Sequence, residues 1–367
     1  MRKIYIYQKE GWPNFYWDNE IIAPLLLNVR YIQGQLIGKM SVFGFDLKNE
    51  THLSTITNNV IKSSEIEGEY LNTDQVRSSV AKRLGMDVSG LIPSERKVER
   101  IVEMTFDATH NANKPLTKKR LFSWHKLLFE EKERDSKLSI GAWRKEEGGE
   151  MQVVSGAMGK ERIHFQAPDW STIDTEIDLF LDWINNKSDI DNIIKASIAH
   201  LWFVTIHPFD DGNGRISRAI ADMLLARADG IDQRFYSMSS QIRIERKDYY
   251  DILEKTQKGN LDITKWIKWF LNCLERAFVQ TDANINKLMN KSKFWENNKT
   301  IVFNERQTKI INLLFNGFEG KLTSSKWAKI NHCSQDTALR DIKDLIEKEV
   351  LRKEEQGGRS TNYELNL

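Results

Sequence analysis

Twelve residues, His207 to Arg218 (HPFDDGNGRISR), concentrate the side chains in this chain that could do chemistry. An imidazole that titrates near neutral pH, His207, can act as a general base. Asp211 is placed to hold a hard cation such as Mg²⁺, which would bridge phosphate oxygens. Gly212 and Gly214 allow a tight loop whose backbone N–H groups turn inward as a nest for an anion. Arg215 and Arg218 stand three apart at the start of the next helical pattern, so they share a face. Two cations there oppose the helix dipole, an arrangement that makes sense when a polyanion such as a phosphate chain fills the space. A helix corner with surface arginines and a capping Asp would explain any one of these residues, but not the set.

The elements that position the loop follow from pattern. Upstream, Ile193 to Ile206 carries apolar residues at helical spacing, and Pro208 disfavours helical backbone at His207, so that helix should end there. From about Asn213 the pattern is helical again, through Ile216, Ala219, Ile220, Met223 and Leu224, stopping at Gly230. The unit is helix, anion loop, helix.

HPFDDGNGRISR resembles the signature of the Fic family, HPFx[D/E]GNGRxxR, and fills every fixed position. The resemblance implies a mostly α-helical fold and transfer of AMP from ATP to a protein hydroxyl (Tyr, Thr or Ser), with release of pyrophosphate. It implies that His207 deprotonates the target hydroxyl and Asp211 binds Mg²⁺. Gly212, Asn213 and Gly214 would cradle the phosphates, and Arg215 and Arg218 would hold the β- and γ-phosphates. Phe209 would anchor the loop in the core.

Three further stretches gain meaning from it. A helix from about Asn49 ends in Ser63-Ser64-Glu65-Ile66-Glu67-Gly68, with Gly68 a natural residue to follow a helix end. Carboxylates in that last turn oppose the dipole and suit a cationic partner, although a solvated helix end is the alternative. Ser63-xxx-Glu67-Gly68 fits the family's inhibitory motif, in which the glutamate pairs with the second motif arginine, here Arg218. Residues 141 to 168 change period: Met151 to Val154 and Ile163 to Phe165 are short strand-like runs around a Gly-containing turn. Beside a plain surface hairpin stands the family's flap, which would align a target segment by strand addition through Val153 and Val154, with Trp143 and Arg144 in support. Tyr249, Tyr250 and Gln257 resemble the segment that closes over adenine, or are residues of an amphipathic helix.

Other helices are expected over Ile22 to Met40, Ser94 to His110, Thr117 to Glu131 and Trp170 to Asn186. The aromatic first 20 residues should pack on a later surface. Glu275 to Asn298 is polar and helical, a connector. Beyond it come three helical stretches (Glu305 to Phe315, Ser324 to Ile330, Gln335 to Lys348) and a hairpin, Leu351 to Leu365, around Gly357-Gly358. This resembles a winged helix-turn-helix. The expected organisation is an N-terminal helical domain with the inhibitory helix over 1–90, the catalytic core over 91–280, a connector helix over 281–300 and the winged domain over 301–367.

Composition bounds the partners. Net charge is +2, and residues 301–367 hold eleven Lys or Arg against ten Asp or Glu, so there is no strong footprint for nucleic acid. DNA therefore ranks behind dimerisation with a second copy or docking of a target for that domain. Cys273 and Cys333 lie far apart with no metal-ligand spacing, which suits a reducing cytosol. With no apolar leader and no long apolar run, a cytoplasmic protein without a membrane span is expected. The partners expected are ATP and a protein substrate, the chain itself included. The leading reading is an ATP- and Mg²⁺-dependent protein adenylyltransferase self-inhibited by Glu67. The alternatives are a DNA-binding regulator whose core senses nucleotide, or a relative that removes AMP or transfers another phosphate-linked group.

Overall fold

The computed structural model describes residues 4–87, 90–129, 138–146, 149–156, 160–231, 233–315, 318, 320–354 and 361–366, with only the backbone of Asp46. The chain divides into two compact units, residues 1–281 and 282–367. The described residues include fourteen α-helices and two small hairpins.

The first unit begins with α1 (Asn19–Ser41), capped by the Asp18 carboxylate, which accepts the Glu20 and Ile21 N–H groups. Then come α2 (Phe45–Ile66), α3 (Thr73–Arg83), α4 (Arg96–His110) and α5 (Lys118–Phe129). A hairpin of β1 (Gln152–Ser155) and β2 (Arg162–Gln166) precedes α6 (Ile173–Asn185). The central pair is α7 (Asn192–Ile206) and α8 (Asn213–Asp229), followed by α9 (Met238–Ile244), α10 (Arg246–Gln257) and the start of α11 (Thr264–Asn297), whose residues from 282 on belong to the second unit. Every residue of α7 from Ile193 to Ile206 is buried, the polar Lys195, Ser197, His200 and Thr205 among them, and its neighbours are the layers that enclose it. The aromatic N-terminal residues do pack on later surface: Trp12 meets Trp202 edge-on at 6.2 Å, and its Nε1 donates to Glu176 at 2.9 Å.

Helix α2 lies antiparallel to α8 with a regular step. Asn59 Nδ2 donates to Asp222 Oδ2 (2.8 Å); one turn on, Ser63 Oγ accepts from Arg218 Nε (3.1 Å). The next turn delivers Glu67 to Gly214 at the start of α8. Asp222 also accepts from Arg234 Nη1 at 2.7 Å, both side chains 7% exposed. The sequence places the start of α2 near Asn49; it begins at Phe45, because Gly44 supplies the extended cap.

In the second unit, α12 (Glu305–Phe315), α13 (Ser324–Ile330) and α14 (Gln335–Glu347) lead to the antiparallel pair β3 (Leu351–Lys353) and β4 (Tyr363–Leu365). Trp327, Ile342 and Leu345 centre its own core. The hairpin tip at Gly357-Gly358 lies outside the described residues. The stretch from Glu275, expected to be polar and helical, is the second part of the 34-residue α11. Among the described residues no helix is long and apolar enough to cross a membrane.

Candidate active site

His207 caps α7 in left-handed backbone, φ 52° and ψ 56°. The helix ends before Pro208, as the sequence predicts, and several bonds hold the left-handed turn that follows. The His207 N–H donates to Phe203 O (3.0 Å), and Arg144 donates through Nε to His207 O (2.9 Å) and through its backbone N–H to Pro208 O (3.0 Å). Arg144 also donates to Pro168 O, so it ties the segment after the hairpin to the loop. His207 Nδ1 lies 3.1 Å from Val204 O. A carbonyl only accepts, so Nδ1 carries the proton and Nε2 keeps a lone pair. Burial, reinforced by Arg144, lowers the imidazole pKa to about 4. The ring is neutral at pH 7, the form a base requires.

The loop is braced from within. Phe209 is fully buried and stacks on His125 at 4.2 Å. Asn213 commits its side chain to the loop, accepting the Phe209 N–H (3.0 Å) and donating to Phe209 O (2.8 Å). What it offers an anion is its backbone N–H, in the first turn of α8, where no carbonyl lies four residues back in the helix. His125 was not singled out by the sequence. Its Nδ1 accepts the Gly141 N–H (3.0 Å), which leaves Nε2–H to donate to Asp211 O at 3.2 Å. Burial takes its pKa to about 4.

The two glycines have different reasons. Gly212 has φ 83°, and a Cβ on it would meet Phe129 Cε2 at 2.8 Å. Gly214, expected to shape the loop by its backbone freedom, is ordinary helix; there a Cβ would overlap the Glu67 carboxylate.

Both arginines are buried and held by one turn. Arg218 Nη1 lies 2.8 Å from Glu67 Oε1, an ion pair more than an aligned hydrogen bond, and Nη2 donates to Ser63 O at 2.8 Å. Burial alone would lower the Arg218 pKa, but Glu67, Tyr249 and Tyr250 together turn the net direction upward. Gly68 has φ 82° and turns the chain so that Glu69 follows. Glu69 Oε2 accepts from Arg215 Nη1 at 2.7 Å, and its Oε1 lies 2.5 Å from Lys97 Nζ. Glu69 also went unremarked in the sequence, although an acid one residue past Gly68 was its signal. Arg215 further lies over the Phe129 ring at 4.9 Å.

A cleft of about 760 Å³ opens beside the loop. Among the residues singled out from sequence, Glu67, Val153, Val154, His207, Gly214, Tyr249, Tyr250 and Gln257 line it. Ser63, Gly68, Asp211, Gly212, Asn213, Arg215 and Arg218 are not in that lining; the two arginines sit behind the glutamates. Tyr249 and Gln257 are also core: Tyr249 is 1% exposed with its hydroxyl 2.9 Å from His200 Nε2, and Gln257 donates to Thr205 Oγ1 at 3.3 Å. Tyr250 is half-buried under Arg246.

The donor set suits Mg²⁺ only together with a phosphate ligand. Asp211 has a half-exposed carboxylate, and among the described residues no three His, Cys, Asp or Glu converge on a metal position. Mg²⁺ commonly binds through one or two carboxylates with waters and substrate phosphates completing the shell, so one carboxylate beside an anion loop fits.

Residues 115–225 of this fold, which include the loop, match the family model "Fic/DOC family", and residues 5–86 match "Domain of unknown function (DUF4172)". The chain is distantly similar to the protein adenylyltransferase Fic of Aedes aegypti, 27% identical over 222 residues, which are 59% of this chain and 40% of that protein. It is similar in fold to a Fic family protein from Desulfovibrio desulfuricans G20, at 19% identity and TM-score 0.53, covering 95% of this chain and 97% of that one. A Fic domain containing signaling protein from Bacteroides thetaiotaomicron shares the fold at 18% identity and TM-score 0.52, with 71% of this chain and 96% of that one covered. The chain thus spans two fifths of the length of the Aedes relative.

Proposed function

We propose that the chain transfers AMP from ATP to a protein hydroxyl, and that Glu67 and Glu69 restrain it. The observation that carries this reading is the pairing of both loop arginines with carboxylates of one turn, beside a neutral His207 with its Nε2 lone pair. His207 Nε2 takes the proton of the target hydroxyl as that oxygen attacks the α-phosphorus. The bond to the bridging oxygen breaks, and pyrophosphate leaves. The first-turn N–H groups of α8 and, once freed, Arg215 and Arg218 hold the charge that develops on the leaving phosphates. Asp211 would hold Mg²⁺, which offsets that same charge when bound. The half-exposed hairpin offers backbone groups for a target strand.

Intact-protein mass spectrometry after incubation with ATP and Mg²⁺ tests the reaction. Glu67→Gly should add AMP to itself or to a lysate protein roughly ten- to a thousandfold faster than wild type, since each ~1.4 kcal/mol of lost pairing is tenfold. No AMP on any protein with either chain would overturn the reaction, and equal rates would overturn the restraint.

A further inference from the structure

A second acid–base chain runs along the mouth of the same cleft. The hairpin is not regular: Val153 pairs with Phe165, yet Val154 pairs with Ile163, so His164 is the extra residue of a bulge. Bulges re-aim side chains, and this one turns His164 toward α10. His164 Nδ1 lies 2.5 Å from Glu254 Oε2, and Ser155 Oγ lies 2.6 Å from His164 Nε2. Burial alone would raise the Glu254 pKa, but bonds from Lys258, His164 and Arg162 hold it at about 2. The carboxylate is therefore ionised and only accepts, which puts the proton on His164 Nδ1. In the tautomer with its single proton on Nδ1, Nε2 is left to accept from the Ser155 hydroxyl. Orienting acid, base and hydroxyl stand in the order that activates a nucleophile.

Pinning the hairpin to α10 does not account for the serine. Arg162 and His164 already reach Glu254 from β2, whereas Ser155 sits exposed on β1 at the other end of the chain of bonds. Ser155, His164 and Glu254 line the cleft together with His207.

We infer that Ser155 is an activated hydroxyl and an internal modification site, which accepts the nucleotidyl group of a nucleoside triphosphate held in this cleft. The donor rests on the function proposed above. Ser155 Oγ attacks the α-phosphorus and a phosphodiester bond forms. The bond from that phosphorus to the bridging oxygen breaks, its electron pair leaving with pyrophosphate. The Oγ proton passes to His164 Nε2, and Glu254 stabilises the imidazolium.

Two probes on the full chain test this. Glu67→Gly is incubated with ATP and Mg²⁺, and the AMP is mapped by tandem mass spectrometry while pyrophosphate is measured. Separately, wild type without nucleotide is treated with diisopropyl fluorophosphate, which needs only an activated hydroxyl to displace fluoride. AMP should map to Ser155, and the fluorophosphate should label the same residue. His164→Gln should slow both by roughly 10²- to 10⁴-fold, the usual worth of a general base. His207→Ala should leave the fluorophosphate label in place. AMP found on other residues with Ser155 unmodified overturns the modification site alone. If no residue gains AMP and no pyrophosphate forms, while Ser155 still takes the fluorophosphate, the proposed transfer fails and the activated hydroxyl stands. Ser155 inert to both probes, or labelled equally fast in His164→Gln, overturns the inference.

Discussion

His207 combines a tied Nδ1 with burial that lowers its pKa from 6.5 to about 4. A base of this kind is ready at every pH above that value. Because Glu67 itself raises the His207 pKa, the acid limb of transfer by Glu67→Gly should lie at about pH 4 or below, well under the usual imidazole range, and initial rates across pH will show it. His207→Ala should lose about 10²- to 10⁴-fold in rate with ATP affinity almost unchanged, because the imidazole acts on the incoming hydroxyl. Wild-type turnover in that variant would make the residue structural. Glu69 gives a second residue-level expectation. It holds Arg215 as Glu67 holds Arg218, so freeing one arginine leaves the other engaged. Glu69→Gln in the Glu67→Gly background should raise self-labelling by about a further tenfold, the equivalent of ~1.4 kcal/mol. The same change in the wild-type chain should do much less. An unchanged rate in the double variant would show that the Glu69 pair does not restrain the site.

At the scale of elements, the proposed restraint depends on register. Asn59, Ser63 and Glu67 step along α2 four residues at a time as Asp222, Arg218 and Gly214 step back along α8. Asp222 fixes that register and also neutralises the buried Arg234. Asp222→Ala leaves the arginine buried without its closest carboxylate and should cost about 3–5 kcal/mol in urea unfolding. A loss under 1 kcal/mol would show that Asp229, 4.0 Å from Arg234 Nε, suffices. What the sequence could reveal divides along the same line. Helix, loop and helix over residues 193–230 were legible because Pro208, Gly212 and Gly230 punctuate the pattern locally. The Glu67–Arg218 pair became legible through two motifs. Glu69 with Arg215, His125 with Asp211 and His164 with Glu254 were not, since 146, 86 and 90 residues separate the partners and no local period relates them. The continuity of α11 was hidden for another reason: its composition turns polar at Glu275 while the helix simply continues.

For the whole molecule, buried imidazoles set the response to acid. Burial lowers His125 to about 4 and His200 to about 3, and both are almost wholly enclosed. The unfolded chain takes up protons near pH 6.5, before the folded chain does. Stability is therefore present above that pH and is lost as pH falls toward the folded values. Each group contributes a slope of about 1.4 kcal/mol per pH unit. Urea midpoints should be flat above pH 7 and fall between pH 6.5 and 4. His200→Gln should reduce the slope by about one proton, and an unaltered slope would remove His200 from the account.

The left-handed backbone at His207 carries one more consequence, for how such a protein changes over generations. A histidine at φ 52° holds a conformation that glycine adopts without steric cost, and such strain is commonly of order 1 kcal/mol or more. His207→Gly should accordingly unfold at a higher temperature than His207→Ala, although neither retains the base. The chemical residue and the residue best suited to the backbone are different at this position. Under the proposed function, a descendant released from the need for the reaction would gain robustness by drifting to glycine here, because the histidine would be kept for its chemistry at the expense of the fold.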